Sequence, residues 1–305
     1  MRQVFMLLLA VALASPAPAA SDTQKVANHL QEVSVTVKQG TTQGSGVIKT
    51  RTMKIDGKDT SVNFVWTAAH VVAGARSVDT VIDTRTGTER KIVKFKDVSI
   101  VQEFRQDGRR VGEYKLDAQV ICYSKENDVA LLRLRKSGFK TESVQFYLGK
   151  PIPPLGTDLY HVGSMAGQEL GANSMTSGIV AQIGRTFDNQ PYDQTTVTAS
   201  PGSSGGGVFL RDGRQIGILT LGVRGGDNFN FIVPIRRVYA WAKRMKIAWA
   251  MDDGVATPTE DELKKIPVED SGATFNGGRK GKDSGLRLKD GRALEYMIVI
   301  EKEMK

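Results

Sequence analysis

The chain has 305 residues, 40% of them hydrophobic and 25% charged, and its 42 Lys and Arg against 33 Asp and Glu leave a formal charge of +9 at pH 7. That length and apolar content suffice for a full core in one or two domains, and the single cysteine, Cys122, excludes an intramolecular disulfide, so the fold must stand on packing alone. The basic residues are scattered and no RNA- or DNA-reading motif accompanies them, which argues against nucleic-acid binding as the main function.

Met1-Arg2, the apolar stretch from Val4 to Ala14 and the small-residue site Ala17-Pro18-Ala19 read as an export signal over residues 1–19. A mature start near Ala20 or Ser21 and a periplasmic or extracellular destination follow as expectations. No later apolar run reaches transmembrane length, so no membrane span is expected after signal removal. Residues 21–32 are polar and predict a frayed segment or short helix carrying His29. Val33-Ser34-Val35-Thr36-Val37 then alternates with period two, and Gly44-Ser45-Gly46-Val47-Ile48 starts a second strand. Asp56-Gly57 is a hairpin signal ahead of the apolar run Phe64-Val65-Trp66-Thr67-Ala68-Ala69-His70. From Thr80 to Leu116 the charged sequence predicts extended hairpins with turns at Arg85-Thr86-Gly87 and Gln106-Asp107-Gly108. Cys122, between Ile121 and Tyr123, is expected to be a small buried side chain.

Asp128 opens the strand Val129-Ala130-Leu131-Leu132, and a link from Lys136 through Pro151-Ile152-Pro153-Pro154 excludes regular pairing before a second half begins. Strands are predicted there at 158–162, 176–183, 195–198, 207–210, 215–221 and 230–233. So many short strands indicate an all-β barrel or sandwich. Pro234 opens a helix with Ile235, Val238, Tyr239, Ala242 and Met245 on one face and Arg236, Arg237, Lys243 and Arg244 elsewhere. Beyond residue 250 the chain reads as linker, with a cappable Thr259-Glu260-Asp261-Glu262, a Gly-, Ser- and Lys-rich stretch at 270–285, and a last apolar run, Tyr296-Met297-Ile298-Val299-Ile300, that could dock as a strand.

The chemistry centres on Pro201-Gly202-Ser203-Ser204-Gly205-Gly206-Gly207, a glycine-rich turn between apolar stretches. A serine nucleophile needs a base beside it and backbone N–H groups aimed at the oxyanion that forms, and glycines let a substrate come close to the main chain. Of the three histidines, His161 lies in the apolar run Leu159-Tyr160-His161-Val162 and reads as a core residue, whereas His70 sits at a strand end beside a cleft. A half-buried Asp128 at the head of its strand requires a partner, and an imidazole N–H suits it.

Thr67-Ala68-Ala69-His70, Asp128-Val129-Ala130-Leu131-Leu132 and Gly202-Ser203-Ser204-Gly205-Gly206 occur in the chain order of the catalytic blocks of trypsin-fold (chymotrypsin-like) serine proteases, which the chain resembles over roughly residues 35 to 245. Gly44-Ser45-Gly46-Val47-Ile48, Ser174-Met175-Thr176-Ser177-Gly178-Ile179-Val180 and Phe231-Ile232-Val233-Pro234 are similar to strands of the bacterial HtrA-like branch. The resemblance implies an all-β fold of two six-stranded antiparallel β-barrels, at 33–136 and 150–235, with the active site between them. A C-terminal helix at 235–247 would complete a protease domain spanning 20–250. Residues 251–305 would form a polar tail too short for a PDZ domain.

The resemblance also implies roles. Ser204, directly before Gly-Gly, is the expected nucleophile, His70 its base and Asp128 the group that orients the base. The N–H groups of Gly202 and Ser204 form the expected oxyanion hole. Gly217 to Gly222 is similar to the strand that pairs with bound peptide in the family, which assigns Thr220, Leu221 and Gly222 to substrate binding. Thr198, six residues before Ser204, falls where the floor of the specificity pocket is expected. With no carboxylate there, the preferred side chain is small or medium and apolar rather than Lys or Arg. Ser203 departs from the usual Asp or Asn, so activation by pairing of that Asp with a newly cut N-terminus is not expected. The expected activity is that of an exported serine endopeptidase acting on protein or peptide substrates through an acyl-enzyme, with no metal or cofactor. The alternative is an exported, catalytically silent trypsin-fold binding module.

Overall fold

The computed structural model describes residues 21–82, 89–106, 109–165, 172–223, 228–270, 286–287, 293–296 and 299–300. The expected export signal, the turns expected around 85–87 and 107–108, and the stretch 271–285 lie outside them. The first element is helix α1 (Asp22–Val33), which Ser21 caps by accepting the Gln24 N–H, and which buries Leu30 and Val33. His29 therefore belongs to a regular helix rather than to a frayed segment.

Strands β1 (Ser34–Gln39), β2 (Thr42–Ile55) and β3 (Lys58–Thr67) follow. Asp56 and Gly57 both have positive φ, 49° and 77°, the signature of the two-residue turn that pairs Ile55 with Lys58. After a one-turn helix α2 (Ala69–Val72), strands β4 (Arg76–Ile82) and β5 (Glu89–Phe95) form a separate two-stranded sheet. Strands β6 (Val98–Gln106), β7 (Arg109–Ser124) and β8 (Val129–Leu134) return to the first sheet. Its order β1-β6-β7-β8-β3-β2 closes through β1–β2, giving a six-stranded antiparallel barrel. Trp66, Phe64, Ile48, Leu131 and Cys122 of this sheet are buried, Trp66 packing edge-on against Trp241 and Phe64 against Trp249, and burial pushes the Cys122 thiol up to about 12.

The second barrel comprises β9 (Asp158–Gly163), β10 (Ser174–Phe187), β11 (Gln190–Thr195), β12 (Gly207–Leu210), β13 (Gln215–Val223) and β14 (Asn230–Pro234). Its order β12-β9-β10-β11-β14-β13 closes through β12–β13. One strand differs from its expected place: the structure has β11 at 190–195, not 195–198. The reason is a two-residue turn at Asp188 and Asn189, both with positive φ, which pairs Phe187 with Gln190 and brings the chain back earlier.

Helix α3 (Ile235–Arg244) packs after Pro234 as expected, with one correction to its faces. Arg237 is buried, with its guanidinium 4.7 Å above the Tyr192 ring and donating to the carbonyls of Pro191 and Glu126, both at 3.0 Å. Residues 249–260, which include the start of the expected linker, are held by the first barrel. Arg51 on β2 donates to the carbonyls of Trp249, Asp252 and Val255, and Arg133 on β8 holds Glu260 in a two-point contact at 2.6 and 2.9 Å. Lys49, with no exposed side-chain surface, donates to Asp253 at 2.9 Å, and burial lowers its ammonium below the ordinary range. Helix α4 (Glu260–Leu263) has the capping box expected of Thr259 and Glu262. Three short strands, β15 (Leu286–Arg287), β16 (Ala293–Tyr296) and β17 (Val299–Ile300), then add to the sheets: β16 to β13, β15 to β16, and β17 to β2.

Candidate active site

His70 and Asp128 come from opposite sides of one strand pair. The chain leaves β3 at Thr67 and turns into α2, which carries His70, while β8, hydrogen-bonded to β3 through Thr67↔Ala130, begins just after Asp128. Asp128 has φ 50°, a left-handed conformation that Asp tolerates, and its N–H closes a turn onto Lys125 O at 3.2 Å. That turn brings the carboxylate back over α2. The His70 Nδ1 lies 2.9 and 3.0 Å from the two carboxylate oxygens, and the His70 backbone N–H donates to Oδ1 at 3.1 Å. With the carboxylate ionised, Nδ1 carries the proton, which leaves Nε2 as the basic nitrogen. Only 11% of the His70 side chain and 8% of the Asp128 side chain reach solvent, so little water screens their contact.

Ser204 arrives from the second barrel, and Thr220 on β13 ties it to that pair. The Thr220 hydroxyl donates to Asp128 Oδ2, and its carbonyl accepts the Ser204 hydroxyl at 3.3 Å. Sequence reasoning assigns Thr220 to substrate binding; the structure puts its side chain on the carboxylate.

The loop that holds Ser204 begins with a β-turn over Ser200-Pro201-Gly202-Ser203, closed by Ser203 N–H to Ser200 O at 2.9 Å. Gly202 has φ 98°, and proline before a positive-φ glycine is the type II pattern. Ser203, the departure from the family pattern, supports this turn by accepting the Ser200 N–H on its hydroxyl at 3.2 Å. The turn bonds use the N–H groups of Ser203 and Gly206, and those of Gly202 and Ser204 take part in neither. Glycine is required at 205: φ is 87°, and a Cβ would lie 2.1 Å from Ser45 O.

Ser45 of β2 is the residue that sequence reasoning missed. Fully buried, it donates its N–H to Ser204 O and its hydroxyl to Gly202 O, both at 2.7 Å, and accepts the Ser164 N–H at 2.8 Å. The Gly44-Ser45-Gly46 pattern was its signal, since glycines around a small polar residue mark a close backbone approach. His161 is a buried core residue as expected, its Nδ1–H donating to Gly207 O at 2.9 Å, and burial lowers the ring to about 4. Leu221 and Gly222 continue β13 beyond Thr220. Thr198 lies outside β11, exposed, with its hydroxyl on Asn228 Oδ1 at 3.1 Å.

Comparison with known proteins agrees with the fold. Residues 44–218 match the model of the trypsin-like peptidase domain. A probable periplasmic serine endoprotease DegP-like of Pseudomonas fulva is 28% identical over 164 residues, covering 52% of this chain and 33% of that protein. A protein of the same description from Halomonas elongata is 31% identical over 139 residues, 42% of this chain and 26% of the relative. The chain thus spans about a third or less of the length of these relatives. Among solved structures, the HtrA-type protease AlgW with tripeptide matches with TM-score 0.51 at 20% identity, over 76% of this chain and 65% of that one. A serine endoprotease from Yersinia pestis matches with TM-score 0.50 at 17% identity, over 90% and 78%. Both structures share the fold. Two closed barrels, ordered motif blocks and a family match over more than half of its residues make this chain a member of the trypsin-like peptidase family.

Proposed function

We propose that the chain is an exported serine endopeptidase that hydrolyses peptide bonds by a His70, Asp128 and Ser204 triad. The observation that carries this reading is the convergence on one carboxylate. Asp128 holds His70 directly and Thr220 beside it, and Thr220 holds Ser204. Ser204 Oγ attacks the substrate carbonyl while His70 Nε2 takes its proton; His70 then returns the proton to the leaving amine, and water releases the acyl group by the same route. Asp128 keeps the proton on Nδ1 and stabilises the imidazolium. The N–H groups of Gly202 and Ser204 serve the oxyanion, and the braced turn keeps them aimed before substrate arrives.

The substrate enters as an extended strand along Thr220, Leu221 and Gly222, with its side chain directed toward Thr198. Absence of a carboxylate at Thr198 favours small or medium apolar side chains over Lys and Arg. The relatives are described as periplasmic, and the leader-like residues 1–19 support the same compartment for this chain.

Labelling with a fluorophosphonate tests the reading. The expected result is one adduct per chain, abolished by Ser204→Ala and retained by Ser203→Ala. A folded wild-type chain that takes up no label supports the silent binding module instead.

A further inference from the structure

The bonds between His70 and Asp128 are local, but the turn that presents Asp128 is gripped from outside the first barrel. Strands β7 and β8 pair through Ser124 and Val129, so residues 125–128 form the loop between them, with Lys125 and Glu126 exposed and Asn127 and Asp128 buried. The loop's own closing bond, from Asp128 N–H to Lys125 O, is 3.2 Å long. A half-exposed loop with one such bond does not by itself hold a carboxylate to the tolerance that an imidazole partner demands.

Arg237 supplies what the loop lacks. From α3 its guanidinium donates to Glu126 O at 3.0 Å and to Asn127 Oδ1 at 3.4 Å, the two residues directly before Asp128, and to Pro191 O of β11 at 3.0 Å. Asn127 passes the hold on, donating through its backbone N–H and its Nδ2 to Ser124 Oγ at 3.2 and 2.9 Å. One side chain thus ties α3, β11 and the Asp128 loop together, a task for a rigid fork of several donors.

Packing alone does not account for a charge at this place. Arg237 is buried, and among the described residues no carboxylate makes an ion pair with it; Asp193, which follows Tyr192, is held instead by Arg236 at 2.6 and 2.7 Å. A buried cation without an ion-pair partner is costly to desolvate. The Tyr192 ring beneath the guanidinium feels both this cation and the Asp128 carboxylate: burial raises the phenol most, Arg237 lowers it and Asp128 raises it. Cation and carboxylate therefore share one buried neighbourhood.

We propose that Arg237 is a positioning residue: it fixes loop 125–128 so that the Asp128 carboxylate stays aimed at His70. Its effect on turnover rests on the catalytic reading above; its hold on the carboxylate does not. Arg237 acts wholly through Asp128 and touches no substrate.

The test compares Arg237→Met and Arg237→Lys in the full chain, with Arg236→Met as the control for lost stability. The His70 backbone N–H donates to Asp128 Oδ1 at 3.1 Å, so its proton resonance reports the carboxylate without any turnover. Both Arg237 variants should move that resonance upfield and lower kcat about tenfold on a fluorogenic peptide with Val before the cut bond, with KM changed less than about threefold. Lys restores neither, because one ammonium cannot hold Glu126 O and Pro191 O in the geometry of a fork. Arg236→Met should lose stability with the resonance and kcat in place. Should Arg237→Met fail to fold, Arg237→Lys, which keeps the buried charge, decides. A folded Arg237→Lys chain with the wild-type resonance and kcat overturns the proposal, and so does an Arg236→Met chain that reproduces the Arg237 effects. If the wild type turns over no peptide and takes up no fluorophosphonate, the peptidase reading falls, and the His70 resonance alone decides whether Arg237 holds the carboxylate.

Discussion

The two barrels supply the candidate site in different ways. The first contributes a pair that locks itself: the Asp128 carboxylate meets both the ring and the backbone of His70, and both groups belong to neighbouring ends of β3 and β8. The second contributes a loop that depends on others. Ser204 and Gly202 hang from Ser45 of the opposite barrel, and Ser203 must spend its own hydroxyl on the turn. In the proposed mechanism, acid–base chemistry is therefore local, whereas oxyanion geometry is a property of the interface between barrels. Changes to the pair should therefore strike chemistry alone, and changes around the loop should couple chemistry to stability.

The largest effect expected is that of Asp128→Asn. The amide can no longer fix the proton on Nδ1, and the expected fall in kcat/KM is about 10⁴-fold with little change in melting temperature. A fall below tenfold would show that the Asp128 carboxylate does not fix the proton on His70. Next comes His161, which lies under the loop's exit: a Cβ on Gly206 would lie 2.7 Å from its Cε1. The folded chain holds this ring neutral, down to about 4 against an ordinary 6.5, because burial penalises the charged ring. Below pH 6.5 the unfolded chain takes up a proton that the folded chain refuses. Stability is therefore full above 6.5 and falls by about 3 kcal/mol as pH drops to about 4. Urea unfolding across that window should show an acid slope that His161→Asn flattens by about one proton.

Ser45→Ala is expected to lower kcat about 30-fold while KM changes less than about threefold, because the loop loses its brace but the peptide strand does not. The Gly202 carbonyl and the Ser164 N–H lose their buried partner, so stability should fall by about 1–3 kcal/mol as well. Loss of stability with unchanged kcat would make Ser45 a packing residue and confine the oxyanion geometry to the second barrel.

The sequence carried the fold, and brought His70, Asp128 and Ser204 forward as candidates, because both are written in local patterns: alternation for strands, and three motif blocks around those residues. It did not carry what depends on contacts remote in sequence. Ser45 reaches Gly202 across 157 positions, and Arg51 reaches Asp252 across 201, so the stretch beyond residue 250 looked like linker although its start is gripped by the first barrel. β11 was misplaced for the opposite reason. The Asp188-Asn189 turn is local, but without a glycine it lacked the usual hairpin signal. Arg237 shows the limit of helical periodicity: a charged side chain was placed facing water, yet Tyr192 and two carbonyls hold it inside.

The smallest of the catalytic effects separates two roles for Thr220. Its hydroxyl supports Asp128 Oδ2 and its carbonyl faces Ser204, so the residue touches both barrels' contributions at once. Thr220→Val keeps the shape and the carbonyl but removes the donor. If the hydroxyl positions the carboxylate, kcat should fall about tenfold at nearly constant KM, since one of the hydrogen bonds holding Asp128 is gone, and Thr220→Ser should restore it. A residue whose side chain serves peptide binding instead would raise KM and leave kcat in place. The constant-KM outcome would show that the first barrel's pair is not wholly self-sufficient. It takes one hydroxyl from the second barrel, just as the second barrel's loop takes one from the first.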